Sequence, residues 1–509
     1  MLKKTLLLCV AGMLLSACQN LTVTPSPDSY APFQCNLHWL ERCTLGVNEA
    51  AFERWQSQGS DKWLDGQLKT THPLPPEIQQ RVDALDISQQ SLQRILAHAS
   101  DLKAAIDAAQ TDEAREAARK SQREYENGIV QDAMRRNLWR AVYSQDSLRE
   151  RMTWFWFNHF NVFSGKANLR YLIPDYEENA IRPHALGKFS ELVMATLKHP
   201  AMLVYLDNAQ NAAGKINENY ARELMELHTL GVNAGYTQQD VQELARILTG
   251  VGVNFSEKPK PAAKLTGYIL DGAFEFNPRR HDTGDKVLLG HKFHGAGFNG
   301  FNEVEQAVKL LCRQSATAKH ISTQMAAYFL GKEPAAPLVN AMAATFQKSD
   351  GDIAATLKVL LTSQVLQQNA GSFKDPYRYV VAALRQGYEG RIISNMKPAM
   401  NWLNQMGEPL YGKLTPDGYS MLGEAWSSEG QMVKRFEIAR AIGSGGAGLF
   451  DSDGKSSSSG AGFPGFQSRF FYRAIEPQIS ANTRDVLNLA GSQQEWNLLW
   501  LSSPEMMYD

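Results

Sequence analysis

Between residues 77 and 148, apolar residues recur every three or four positions in a stretch rich in Ala, Arg, Glu, Gln and Leu. This spacing predicts two or three amphipathic helices. The same period continues through 186–198, 217–230, 238–249, 303–329, 336–346, 352–367, 376–388, 397–406 and 430–442. The segment "TQQDVQELARILTG" shows both ends of one such helix: Thr237 as N-cap, acids early, Arg246 late and Gly250 just past the end. The period breaks in "GYILDGAFEFNPRRHDTGDKVLLGHKF", where apolar positions alternate or run short around "DTGD". A small β-hairpin is therefore expected near 272–293, inserted into a mainly α, large multi-helix globular domain. Residues 443–466, dominated by glycine and serine, read as a loop.

The N-terminus follows a different pattern. Lys3 and Lys4 precede an apolar run, Thr5 to Leu15, that is too short to span a bilayer, and Leu15-Ser16-Ala17-Cys18 follows. This arrangement resembles the lipobox of a bacterial lipoprotein. Residues 1–17 are then a signal peptide and Cys18 carries the lipid, with a plain secretory signal cut near Ala17, or an uncleaved anchor, as the alternatives. Gln19 rather than an aspartate follows the cysteine, which points to the outer membrane. Residues 18–45, with three prolines and little periodicity in the first half, are expected to be a lipidated tether, and 46–509 a single helical domain. Outside the cytosol Cys35 and Cys43 are expected to pair, while Cys312, in "AVKLLCRQ", is expected to be buried.

Composition narrows the function classes. Hydrophobic residues make up 43% and charged residues 21% of the 509 positions, as in a folded globular chain. A formal net charge of −1 leaves no basic footprint for a nucleic-acid partner. "GLFDSDGKS" misses the phosphate-binding loop spacing by one residue, "DSDG" lacks the later ligands of an EF-hand, and neither HExxH nor GxSxG occurs.

The densest polar chemistry lies in "NENYARELMELHTLG", residues 217–231. On a helical wheel Glu218, Arg222, Glu226, Asn219 and Glu223 share one face about 140° wide, opposite Tyr220, Ala221, Leu224 and Leu227. His228 falls on the apolar side, as a core histidine would. Glu218, Arg222 and Glu226 stand at i, i+4 and i+8, which equally suits a solvated ion-pair ladder.

The stretch "NENYARELMELHTLGVNAGYTQQDVQELARILTG" closely resembles the signature of a bacterial family of secreted helical proteins called domain of unknown function 1800. The likeness continues in order through "FWFNHFNVF", "YEENAIRPHALGKFSELVMATLKHPAMLVYLDN", "RRHDTGDKVLLG", "DPYRYVVAALR", "MGEPLYGKLTPDGYS" and "LSSPEM", from about residue 80 onward. It implies a mostly α-helical exported protein and no established activity. Such proteins are often encoded beside an exported family resembling alkaline phosphatases and sulfatases, which implies a possible partner. The signature specifies residue types at Asn217, Glu218, Asn219, Arg222, Glu223 and Glu226. That specificity favours a cleft-lining face over a merely solvated one. At His228 the family pattern more often has an aromatic, which weakens a catalytic role for it.

Candidate catalytic residues are thus Glu218, Arg222, Glu223 and Glu226. Candidate substrate-binding residues are Asn158 and His159, set among aromatics in "FWFNHF", with Asn219, His281 and Asp282. The carboxylates with the arginine suit acid and base work on a glycosidic bond. The same carboxylates with His159 or His281 suit a divalent metal. Two functions stay open: a hydrolase or lyase on an extracellular or envelope polysaccharide, and a non-catalytic scaffold for the phosphatase-like neighbour.

Overall fold

The helix Ser147–His159 has all but one of its residues buried, only Arg149 being partly open. Its sequence, "SLRERMTWFWFNH", has aromatics on several faces, and a helix that is apolar nearly all round must sit inside. Trp154 stacks on Tyr377 at 4.7 Å and Phe155 meets Tyr328 at 5.2 Å, tying this helix to Pro376–Gly387 and Ser315–Leu330. Arg151, fully buried, donates to the carbonyls of Arg42 and Thr44 and lies 4.4 Å from the Phe329 ring centre. The computed structural model describes residues 36–256, 265–295, 300–369, 371–445, 447–451 and 463–509. Its architecture is mainly α. Among the described residues no helix is long and apolar enough to cross a membrane.

The longest helix, Asp112–Tyr143, has 32 residues, exposed in its first half and buried over Ile129–Val142. Leu169–Asp175, with Pro174 inside it, runs into a π-helical turn, Tyr176–Ile181, and then a 3-10 turn, Arg182–His184. The π-turn is a rare geometry that gathers at functional sites. The capped helix foreseen after Thr237 forms as Gln238–Ile247, with a complete capping box between Thr237 and Asp240.

The β-region is more divided than a single hairpin. Strands β1 (Val251–Val253), β2 (Ile269–Asp271) and β3 (Phe274–Phe276) form an antiparallel sheet in the order β1-β3-β2. Strands β4 (Lys286–Leu288) and β5 (His291–Phe293) form a separate pair. The tight turns fall at Gly272 and at Leu289-Gly290, all with positive φ. "DTGD" is the connection between the sheets, because β3 already has partners on both edges.

Of the segment 18–45 expected as a tether, the described part is folded onto the body. Leu37–Cys43 is a helix capped by Asn36, with Trp39, Leu40 and Cys43 buried and the Trp39 indole donating to Leu361 O at 2.7 Å. Its apolar residues at i, i+1 and i+4 require a core to cover them. The helix also separates Asn36 from Cys43 by about 10 Å, against a Cα span of roughly 4.4–6.8 Å in a disulfide. Residues 1–17, expected as a signal peptide, with Cys18, Cys35 and half of the 443–466 loop lie outside the described residues. Cys312 is buried as expected.

Candidate functional site

The helix Asn219–Glu226 buries Tyr220, Ala221, Leu224 and Met225 and leaves its polar face half open. On that face Arg222 bonds Glu218 at 3.2 Å, Glu226 at 3.4 Å and Gln238 at 2.8 Å. Gln238 in turn donates to Glu218 at 2.7 Å. The ladder is therefore closed on itself. With 37% of the Arg222 side chain exposed, each pair is worth the few tenths to 1 kcal/mol of surface ion pairs, about 0.2–1. Arg222→Ala is expected to cost no more than about 1 kcal/mol in denaturant unfolding; a larger loss would show that the ladder is structurally critical.

Glu223 stands outside the ladder. Its side chain makes no hydrogen bond or ion pair among the described residues. Its proton affinity is raised, first by partial burial and then by the neighbouring carboxylates of Glu226 and Asp417, against the pull of Arg222. Asp417 arrives from another signature, "MGEPLYGKLTPDGYS", and the structure shows how. Asn158 donates to Tyr419 O at 2.9 Å and accepts from Tyr419 N at 2.6 Å. Asn161 donates to the carbonyls of Lys413 and Thr415 at 3.0 and 2.9 Å, and Tyr205 to Leu414 O at 2.7 Å. Gly418, at φ +74°, lies so close that a Cβ there would sit 2.3 Å from Asn158 O. Three residues from distant segments thus clamp the 413–419 loop beside the glutamate helix. The Tyr205 hydroxyl is pushed up to about 12 by burial, with Asp417 and Glu223 adding to the effect. Asp417 itself is exposed and accepts a hydrogen bond from Thr415 Oγ1.

The other candidates occupy different surroundings. Asn158 engages both ends of its amide on the loop backbone. His159 packs against Trp156, Phe160 and His228 and reaches His228 O at 3.2 Å, which assigns its Nε2 as donor. Burial and then the neighbouring His228 and His320 hold it neutral, and His228 itself is lowered to about 3. Asn219 caps the chain turn at Leu206 O and Asp207. His281 donates Nδ1–H to Thr249 O at 2.8 Å and lies 3.4 Å from Glu303. Asp282 takes two hydrogen bonds from Arg246, at 2.9 and 3.1 Å. From the same helix face Glu243 accepts from Val287 N and Asp240 from Leu289 N, so this signature latches β4 to Gln238–Ile247. The structure therefore gathers Asn158, through its loop, with the glutamate helix. It places His159 in the aromatic core and His281–Asp282 at the β4 latch. Among the described residues no group of three or more His, Cys, Asp or Glu is placed to hold a metal ion.

A second polar assembly was not among the sequence candidates. Arg182 bonds Glu150 at 2.5 Å and lies 3.8 Å from Glu177 and 3.7 Å from Glu178. Arg140 grips both Glu178 oxygens, and Arg136 approaches the same carboxylate at 3.5 Å. Asn137 and Tyr411 donate to Glu177 at 3.1 and 2.8 Å. Burial works against the Glu178 charge, but these arginines outweigh it and draw its carboxyl down to about 2. The outer side of this network borders a cavity of about 800 Å³.

Residues 38–508 match the family model described as "Protein of unknown function (DUF1800)". The chain belongs to that family. The match reaches back to residue 38, beyond the start expected near residue 80, and takes in the Leu37–Cys43 helix almost whole. Neither a curated protein nor a solved structure matches the chain. Within this DUF1800 chain the glutamate face and its clamped loop are built from signature segments, the Arg182 network only in part, and only the Glu223 face carries a carboxyl group with raised proton affinity among the sequence candidates.

Proposed function

We propose that the protein is a lipoprotein of the outer membrane that hydrolyses an extracellular or envelope polysaccharide, with Glu223 as proton donor. The single observation that carries this reading is the Glu223 carboxyl. It is excluded from the Arg222 ladder and raised toward the protonated form by half-burial, Glu226 and Asp417. A glycosidic oxygen leaves only when protonated, so a carboxyl whose hold on its proton is strengthened is the group the chemistry needs. Asp417, exposed on the clamped loop, supplies the second carboxylate, to activate water or stabilise the oxocarbenium-like centre. Balanced as hydrolysis, water adds across the bond: the leaving oxygen takes the Glu223 proton, and the water proton returns through a carboxylate. The test is release of reducing ends from envelope and exopolysaccharides by the full chain in a detergent without sugar, wild type against Glu223→Gln. Equal rates in the two proteins would refute the assignment.

A scaffold for the phosphatase-like exported neighbour is the second reading, and the self-paired Glu218–Arg222–Glu226 ladder favours it. Under it no polysaccharide is cleaved by either protein.

Anchoring through Cys18 and the Cys35–Cys43 pairing are tested together by mass spectrometry of the mature, non-reduced protein. The expected result is an acylated peptide beginning at Cys18. A mature N-terminus elsewhere, without lipid, would exclude the anchor. Unlinked Cys35 and Cys43 peptides would exclude the bridge.

A further inference from the structure

We propose that the cavity of about 800 Å³ beside the π-turn is a binding site for a neutral oligosaccharide chain, separate from the Glu223 face. Its walls come from the end of Pro76–Asp83, the segment 87–95, Arg136 and Arg140 of the long helix, the stretch from Pro174 through the π-turn residues Glu178 and Asn179, the segment 195–200 and the β2–β3 turn at Asp271–Phe274. The volume falls within the roughly 300–1,000 Å³ typical of ligand pockets.

The charges on this lining select the ligand class. Three cations, Arg136, Arg140 and Lys198, face four carboxylates, Asp83, Asp175, Glu178 and Asp271. Each cation is already matched: Arg140 and Arg136 by Glu178, and Lys198 by Asp271 at 3.5 Å. No uncompensated cation is left to hold a phosphate, sulfate or uronate, and the excess carboxylate repels polyanions. His199 is also committed. Its Nδ1 accepts from Ala201 N at 3.1 Å, so its Nε2 carries the hydrogen that Asp175 accepts at 2.9 Å. That leaves no free imidazole nitrogen for acid–base work and makes this a binding site rather than a reaction centre.

Two amides remain free. Among the described residues the side chains of Gln90 and Gln93 make no hydrogen bond to the protein. An amide both donates and accepts, which matches a sugar hydroxyl. The β2–β3 turn closes against this wall: Gly272 has φ +59°, and a Cβ there would lie 3.1 Å from Gln93 Nε2. Ile87, Leu92 and Pro200 add apolar surface for sugar C–H faces.

The inference does not depend on Glu223, and the experiment keeps the two apart. The full chain in a non-glycosidic detergent is titrated calorimetrically with neutral hexasaccharides of β-1,3-, β-1,4- and α-1,4-glucan, and with oligogalacturonate as the anionic control. At least one neutral hexasaccharide is expected to bind. The Gln90→Ala/Gln93→Ala double variant should weaken that binding about tenfold, the equivalent of one to two lost hydrogen bonds. Ser88→Trp, at an exposed position on the rim, should abolish it. Glu223→Gln should leave it unchanged. No binding by any neutral hexasaccharide, binding confined to oligogalacturonate, equal binding by the cavity variants, or loss of binding in Glu223→Gln would each overturn the proposal.

Discussion

Arg182→Ala is expected to destabilise the protein by about 3–5 kcal/mol, the usual cost of breaking a buried ion pair by removing one partner. Arg182 is 12% exposed, and two of the three acids around it, Glu150 and Glu177, are 7% and 1% exposed. Six charges close this network without remainder: Arg136, Arg140 and Arg182 against Glu150, Glu177 and Glu178. Removing Arg182 takes both hydrogen bonds from Glu150, at 2.6 and 2.5 Å, and leaves its carboxylate in the interior. The loss should depend on pH in a direction that simple packing damage would not produce. An interior carboxylate that has lost its cation is disfavoured in its charged form. A carboxyl shifted upward contributes most stability below its unfolded pKa and loses it as pH rises. The gap between variant and wild type should therefore narrow from pH 8 to pH 5. In the wild type, Glu178 behaves oppositely: it is held at about 2, and its contribution is lost only as pH falls from the ordinary carboxylate range toward that value. Urea unfolding of both proteins at the two pH values measures this. A gap under about 1 kcal/mol, or one that is independent of pH, would remove the network from the account of stability.

This network shows where the sequence stopped being readable. The helical body was legible because its signals are local: the Thr237 cap, the period of 238–247, the apolar density of "FWFNHF". The glutamate ladder was legible for the same reason, since its partners are four residues apart. Glu177, Glu178 and Arg182 lie within the signature "YEENAIRPHALGKF", where no neighbour in sequence marks them as a buried cluster. Two physical causes hid them. The π-turn at Tyr176–Ile181 departs from the 3.6-residue period on which a helical wheel depends. Their partners, moreover, come from Arg136–Arg140 and Glu150, more than 25 positions away in sequence. Asp417 was missed likewise, because it is delivered to Glu223 by a clamp whose members lie at 158, 161 and 205. A signal was available, in that charged residues inside a family signature with no helical ladder of their own imply distant partners.

Glu223→Gln is expected to lower the rate of polysaccharide hydrolysis about 10²–10⁴-fold, the usual contribution of a positioned general acid. The same substitution should leave the fold as stable as before, or more so. Glu223 makes no side-chain hydrogen bond among the described residues, so the amide breaks none. Its carboxyl is raised in the folded state by partial burial, Glu226 and Asp417. A group raised in this way opposes folding once the pH exceeds its unfolded value. Glutamine mimics the protonated form and removes that opposition at pH 7. The two effects of one substitution thus run in opposite directions, and a structural glutamate could not produce that combination. The pH profile adds a second discriminator. A general acid works only while protonated, so the wild-type rate should fall as pH rises through the raised Glu223 pKa. That alkaline limb should be missing from the residual rate of the variant. Arg222→Ala supplies the control, because losing the cation that lowers Glu223 should shift the limb upward in pH without removing it. Initial rates between pH 4 and 9 for the three proteins, beside their urea midpoints, decide the matter. If Glu223→Gln unfolds more easily and keeps its alkaline limb, Glu223 is a structural residue and the proton donor lies elsewhere.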